Sequence, residues 1–182
     1  MEAAGWDCAR PCLGSTVVVA GIGNNGADAL AAARHLHRRG RLHGVACIDR
    51  ARLTPLAAER AVALELAGIE ITNDLDLDGA DFILDGIFGI GLNRPVQGTA
   101  AAWVEAINAA GRHVVAVDVP SGIEADTGEV MGVAVRATET ITFGALKPGL
   151  LQGPGRELAG RVEVVDIGVP LAAYRDLGLE LS

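Results

Sequence analysis

Two aspartates, Asp85 and Asp118, stand near the ends of runs that are otherwise apolar, Phe82–Ile87 and Val114–Val119. A buried carboxylate without a partner is costly, so each needs a cation, a hydrogen-bond network or a raised pKa. Two such groups facing one pocket would supply a cation ligand and a general acid or base. The competing role is structural: capping the next helix or accepting loop N–H groups. Each opens a glycine-bearing loop, Asp85-Gly-Ile-Phe-Gly-Ile-Gly-Leu-Asn-Arg-Pro95 and Asp118-Val-Pro-Ser-Gly-Ile123. A third loop, Gly21-Ile-Gly-Asn-Asn-Gly-Ala-Asp28, spells G-x-G-x-x-G, the outline of a dinucleotide turn. Asn24 and Asn25 fill it, however, and Asp28 opens the following helix. A carboxylate there makes a poor seat for a bare pyrophosphate, because both are negative.

Of the 15 basic residues only Lys147 is a lysine, and it follows a strand in Phe143-Gly-Ala-Leu-Lys-Pro-Gly149. It has the reach to meet a phosphate as a point charge or to handle a proton. Arg94 offers a phosphate clamp or a surface charge. His35, His37, His43 and His113 show no metal spacing. Ser121 lacks the G-x-S-x-G elbow of a hydrolase nucleophile, and Gly26 is not followed by the Lys-Ser/Thr of a phosphate-binding Walker loop.

These loops need strands and helices to aim them. Strand-like runs at Thr16–Ala20, Leu42–Ile48, Ile69–Thr72, Phe82–Ile87, Val114–Val119, Thr138–Phe143 and Arg161–Val165 alternate with helical patterns at Asp28–Arg39, Thr54–Leu66 and Thr99–Ala110. Strands apolar on both faces suit a parallel sheet covered by helices on both sides. The expected fold is therefore a three-layer, doubly wound, Rossmann-like α/β domain with a mostly parallel central sheet. Residues 1–15 are expected to be an irregular lead-in, and residues 16–182 a single domain. Ligands of such folds bind at the carboxyl ends of the strands, near a switch in strand order.

Composition narrows the partners. With 182 residues the chain supports one core, and a formal net charge of −8 argues against nucleic acid and anionic membrane as partners. No apolar run approaches the roughly 20 residues of a membrane span. Cys8, Cys12 and Cys47 form no C-x-x-C pair, which points to a reducing compartment, the cytoplasm.

Residues 21–28, 85–95, 118–128 (Asp-Val-Pro-Ser-Gly-Ile-Glu-Ala-Asp-Thr-Gly) and 142–149 (Thr-Phe-Gly-Ala-Leu-Lys-Pro-Gly) come in a fixed order. Together they closely resemble the YjeF N-terminal domain family, the NAD(P)H-hydrate epimerases. The resemblance implies an isomerase of nicotinamide coenzyme repair. Its substrates would be NADHX and NADPHX, the coenzymes hydrated at C6 of the nicotinamide ring, whose R and S epimers it would interconvert. Asn24, Asn25, Gly26, Ala27 and Asp28 would line the substrate site together with Gly89, Ile90, Gly91, Leu92, Asn93, Arg94, Pro95 and Asp118. Asn25, Asp85 and Ser121 would bind a potassium ion (K+), a hard cation suited to oxygen donors. Asp118 would be the acid or base, with Lys147 second. The implied partners are a separate dehydratase acting on the S epimer and a second copy of the chain in a homodimer. Family members usually carry Gly where this chain has Ala27, and Thr where it has Ile90.

Two other functions fit parts of the pattern. Asp49, ending the second strand, suits the ribose of an NAD(P)-dependent oxidoreductase. The third is a catalytically idle ligand- or protein-binding module of the same fold.

Overall fold

Seven parallel strands form one sheet: β1 (Thr16–Ala20), β2 (Leu42–Cys47), β3 (Ile71–Thr72), β4 (Phe82–Gly86), β5 (His113–Val117), β6 (Glu139–Phe143) and β7 (Arg161–Val165). The computed structural model describes residues 2–168, so the end of the expected domain lies outside the described residues. The spatial order is β3-β2-β1-β4-β5-β6-β7, with every pairing parallel; the sheet is wholly rather than mostly parallel among the described residues. No described helix is long and apolar enough to cross a membrane.

The strands alternate between two cores. Val17 and Val19 of β1 pack on one side with Trp103, Val104 and Ile107 of helix α4 (Thr99–Ala109). Val18 and Ala20 pack on the other with α1 (Glu2–Ala9), α2 (Asn24–Arg38) and α3 (Pro55–Leu66). Small residues let α2 lie close to the sheet: Ala27, Ala29, Ala31, Ala32 and Ala33 are all buried. Its end follows a Schellman pattern, in which Gly40 takes a φ of +65° and the Arg41 N–H reaches back to the Leu36 carbonyl. Thr54 caps α3 by accepting from the Ala57 N–H. A short helix α5 (Gly153–Leu158) precedes β7.

Two elements differ from expectation. The lead-in is helical rather than irregular. An eight-residue helix is marginal alone, but α1 is held by packing. Ala4, Cys8 and Ala9 are buried, Trp6 lies under the Arg39 guanidinium, and a Cβ on Gly5 would meet that of Ala31 at 2.7 Å. Helix α2 begins at Asn24 instead of Asp28, because Gly23 is the cap and Asn24-Asn25-Gly26, poor helix formers, are wound into the first turn by contact with β1 and β4.

Strand order reverses direction between β1 and β4. The chain leaves β1 for α2 on one face and leaves β4 for α4 on the other, which opens a crevice at their carboxyl ends.

Candidate functional site

The glycines at this crevice serve mainly to bring chain against chain. A Cβ on Gly21 would stand 1.8 Å from the Ile87 carbonyl oxygen, one on Gly26 2.0 Å from that of Gly21, and one on Gly86 2.4 Å from the Ala29 Cβ. Gly23, by contrast, faces open space. Gly21→Ala is therefore expected to cost at least about 3 kcal/mol, the upper end of overpacking penalties. That corresponds to a fall in Tm of roughly 6–12 °C, whereas Gly23→Ala, which meets no neighbour and only weakens the cap of α2, should cost about 1 kcal/mol, roughly 2–4 °C. Thermal melting of the two variants checks this.

Asp85, at 0 % exposure, ties the 85–95 loop to the 118–123 loop. Its Oδ1 accepts from the Ile87 N–H at 3.2 Å and the Ser121 hydroxyl at 2.6 Å, and its Oδ2 accepts from the Ser121 N–H at 2.9 Å. Burial pushes its carboxyl up to about 6, against the pull of these hydrogen bonds. The Phe88 N–H donates to Ser121 Oγ at 2.8 Å, and Asn25 Nδ2 donates to the Phe88 carbonyl at 2.8 Å. One knot thus joins Asn25 of α2, Asp85 of β4 and Ser121 of the loop after β5. Among the described residues no group of three His, Cys, Asp or Glu side chains could hold a metal ion. A cation here would rest on amide, hydroxyl, carbonyl and carboxylate oxygens around Asp85.

Asp118 follows β5 directly and is the non-glycine residue with positive φ (+67°) among those described. Short polar side chains tolerate this left-handed geometry better than most. Its N–H donates to the Ile141 carbonyl at 2.8 Å. Its Oδ1 accepts from Thr142 Oγ1 (3.1 Å), the Phe143 N–H (3.2 Å) and Lys147 Nζ (2.5 Å), while Lys147 also donates to the Phe143 carbonyl (2.8 Å). Both side chains of this ion pair are largely buried. Lys147 is therefore engaged with Asp118, and a phosphate contact is not what its geometry offers.

Asp28 lies one helical turn beyond Asn24 and faces the same cleft as Asp118. Its Oδ1 is buried without a hydrogen-bond partner among the described residues. Burial, with the charge of Asp118 adding to it, raises its carboxyl to about 6.

The cleft over the β1–β4 crevice has a volume of about 470 Å³, within the usual range for small-molecule sites. The structure brings Asn24, Asn25, Asp28, Gly89, Ile90, Gly91, Leu92, Asn93, Arg94 and Asp118 to its wall. Ile90, 61 % exposed, puts a hydrocarbon at its edge. Gly26 and Ala27 are not on the wall: both are buried, Gly26 against Gly21 and Ala27 in the core. Pro95 also falls outside it, on the surface. Ile22, Gly23, Ile87 and Phe88 line the cleft although residue type did not mark them; Phe88 acts through its backbone, which sequence chemistry does not reveal. Asp49 is occupied in accepting from the Ala51 N–H at 3.2 Å. A separate depression of about 370 Å³ over β2 and β3, lined by His37, His43, Glu70, Asp74 and Asp76 among others, shares no wall residue with the first and holds neither Asp85 nor Asp118.

Comparison with known proteins gives consistent results. The sequence profile described as YjeF-related protein N-terminus matches residues 2–149. A protein of Limosilactobacillus fermentum named NAD(P)H-hydrate epimerase is 48 % identical over 160 residues, which cover 86 % of this chain and 76 % of that protein. One of the same name from Oenococcus oeni is 40 % identical over 86 % of this chain and 76 % of its own length. A bifunctional NAD(P)H-hydrate repair enzyme of Thermofilum pendens is 41 % identical, aligned over 100 % of this chain but only 38 % of its own length. The crystal structure of yeast ynu0 superposes with a TM-score of 0.80, at 22 % identity over 98 % of this chain and 83 % of the yeast chain, a likeness of fold.

Proposed function

The chain belongs to the family of YjeF-related protein N-termini, and from that membership we propose that it is an isomerase interconverting the R and S epimers of hydrated NADH and NADPH. The observation that carries the proposal is Asp118, ion-paired with Lys147, at the wall of a cleft that also presents Asn24, Asn25 and Asp28. An ordinary dinucleotide site needs none of these groups, and two of the three glycines of the fingerprint, Gly21 and Gly26, are spent on internal packing.

The C6 hydroxyl of the hydrate is attached next to the ring nitrogen, whose lone pair helps it leave. A proton must reach the departing oxygen, and water must return to the other face. Asp118, paired with Lys147 and fixed by Thr142 and Phe143, is placed to take the proton of that water. Asn24, Asn25 and the 89–94 loop would orient the ring and its carboxamide, with Arg94 at the rim as a partner for a phosphate.

The residues fit a potassium ion held by Asn25, Asp85 and Ser121. The donors are hard oxygens, and among the described residues the buried Asp85 carboxylate accepts from neutral N–H and O–H groups, so an uncompensated charge is available to a cation. When bound, such an ion supplies the positive charge that keeps Asp85 ionised. The name of the Thermofilum relative supports a place beside a second repair activity, a dehydratase acting on the S epimer. The three free cysteines, all buried, support a reducing compartment such as the cytoplasm.

A coupled assay tests the proposal. R-hydrate is mixed with an S-specific dehydratase in potassium buffer, and this protein is added. Faster loss of the R-hydrate is the expected result. No acceleration would favour a binding module, and tight binding of intact NAD(H) without acceleration would favour an oxidoreductase.

A further inference from the structure

We propose that Asp28 is a second proton-transfer group of the same site, acting from α2 on the ring that Asp118 meets from the end of β5; this rests on the epimerase reading. Moving the C6 hydroxyl from one face of the ring to the other breaks one C–O bond and forms another. The departing oxygen gains a proton and leaves as water while the nitrogen lone pair forms a C=N bond to C6. A new water then bonds to C6, the electron pair returns to nitrogen, and that water loses a proton. The balance is one proton donated, one accepted, one water out and one in, with no oxidation. Inversion places the leaving and entering oxygens on opposite faces, so two groups serve it better than one.

The surroundings of the two carboxyls divide these roles. Asp118 is saturated with donors on Oδ1 and paired with Lys147, which suits a proton acceptor. Asp28 is placed differently: its Oδ1 is buried without a hydrogen-bond partner among the described residues. Burial favours its neutral form most, and the charge of Asp118 adds to it, against nearby positive charge that includes Arg60 of α3; the buried Cys8 thiol of α1 lies within its influence. A buried carboxyl with an unpartnered oxygen and a lysine-paired carboxyl in one cleft, set in different environments, can serve as the acid and base such a reaction needs. In the reverse direction the roles exchange, and the two protons re-equilibrate through water in the open cleft.

The test uses the whole chain in potassium buffer with purified R-hydrate in water enriched in oxygen-18. Asp28→Asn keeps the side-chain volume and removes the proton. It is expected to lower kcat at least 100-fold, to slow oxygen-18 entry at C6 in step, and to leave the hydrate-induced rise in Tm in place. A role limited to structure or binding would instead move KM and that rise in Tm. If wild type is active and Asp28→Asn keeps kcat within about threefold, the inference is overturned while the epimerase reading stands. An inactive wild type overturns both. Where Asp28→Asn does not fold, Asp28→Glu decides: a proton-transfer role predicts a loss of at least tenfold in kcat with hydrate binding retained, and full kcat overturns it.

Discussion

Asp118→Asn is expected to lower kcat for hydrate epimerisation by about 10²–10⁴-fold, the usual contribution of a positioned proton-transfer group, while Tm stays within a few degrees of wild type. The choice of asparagine matters. Position 118 sits at a φ of +67°, where Asn is among the residues best tolerated. Its amide oxygen can still accept from Thr142, Phe143 and Lys147, so the loop after β5 keeps its anchors. What disappears is the carboxylate that would take a proton. Asp118→Ala would strain the backbone and strand the Lys147 ammonium, mixing structural loss with chemical loss. Steady-state kinetics of Asp118→Asn, with hydrate binding followed by thermal shift, separates the two. Near-normal turnover would remove Asp118 from the mechanism.

Replacing potassium by tetramethylammonium is expected to destabilise the protein at pH 8 and to leave it unchanged near pH 4. Burial holds the Asp85 carboxyl at about 6 in the fold, above its value in the unfolded chain, so the folded state binds this proton more tightly. The stability contributed by Asp85 is therefore complete below about pH 4 and is lost as pH rises through about 6. Raising a carboxyl from about 4 to about 6 is worth roughly 3 kcal/mol at pH 8. A cation held by Asn25, Asp85 and Ser121 would offset up to that amount, a gain of roughly 6–12 °C in Tm. Asp85→Asn is neutral at every pH and should lose the preference for potassium. Calorimetry of both proteins in the two salts at pH 4 and pH 8 measures the effect. An equal response of wild type and Asp85→Asn would place the ion elsewhere or nowhere.

The legible part of the site was its polar inventory. A carboxylate at the end of an apolar strand is visible in sequence because burial makes it anomalous, and both Asp85 and Asp118 were found that way. The roles they take in the fold were not visible. Asp85 accepts three hydrogen bonds from loop groups and Asp118 forms an ion pair with Lys147, a partner 29 residues away. Periodicity placed most strands and helices within a residue or two, because the apolar patterns of β1, β4, β5 and α4 are dictated by burial. It failed at α1, which is short and lacks a clear apolar stripe, and at the first turn of α2, whose residues favour a helix weakly; both are held by neighbours distant in sequence.

What the sequence determined by itself is the set of parts: alternating strands and helices, four motifs in order, and the residue types able to bind a cation and move a proton. Local composition sets these, because each depends on a few consecutive side chains. Only the tertiary structure decided which parts meet. Placing β1 beside β4 brings the glycine loop, the Asp85 loop and the Asp118 loop to one crevice. The close approach of Gly21 to Ile87 turns a coenzyme fingerprint into a packing contact. It also buries Gly26 and Ala27 while leaving Asn24, Asn25 and Asp28 on the cleft, since successive residues of a helix face different directions and only the fold says which of them finds the open side.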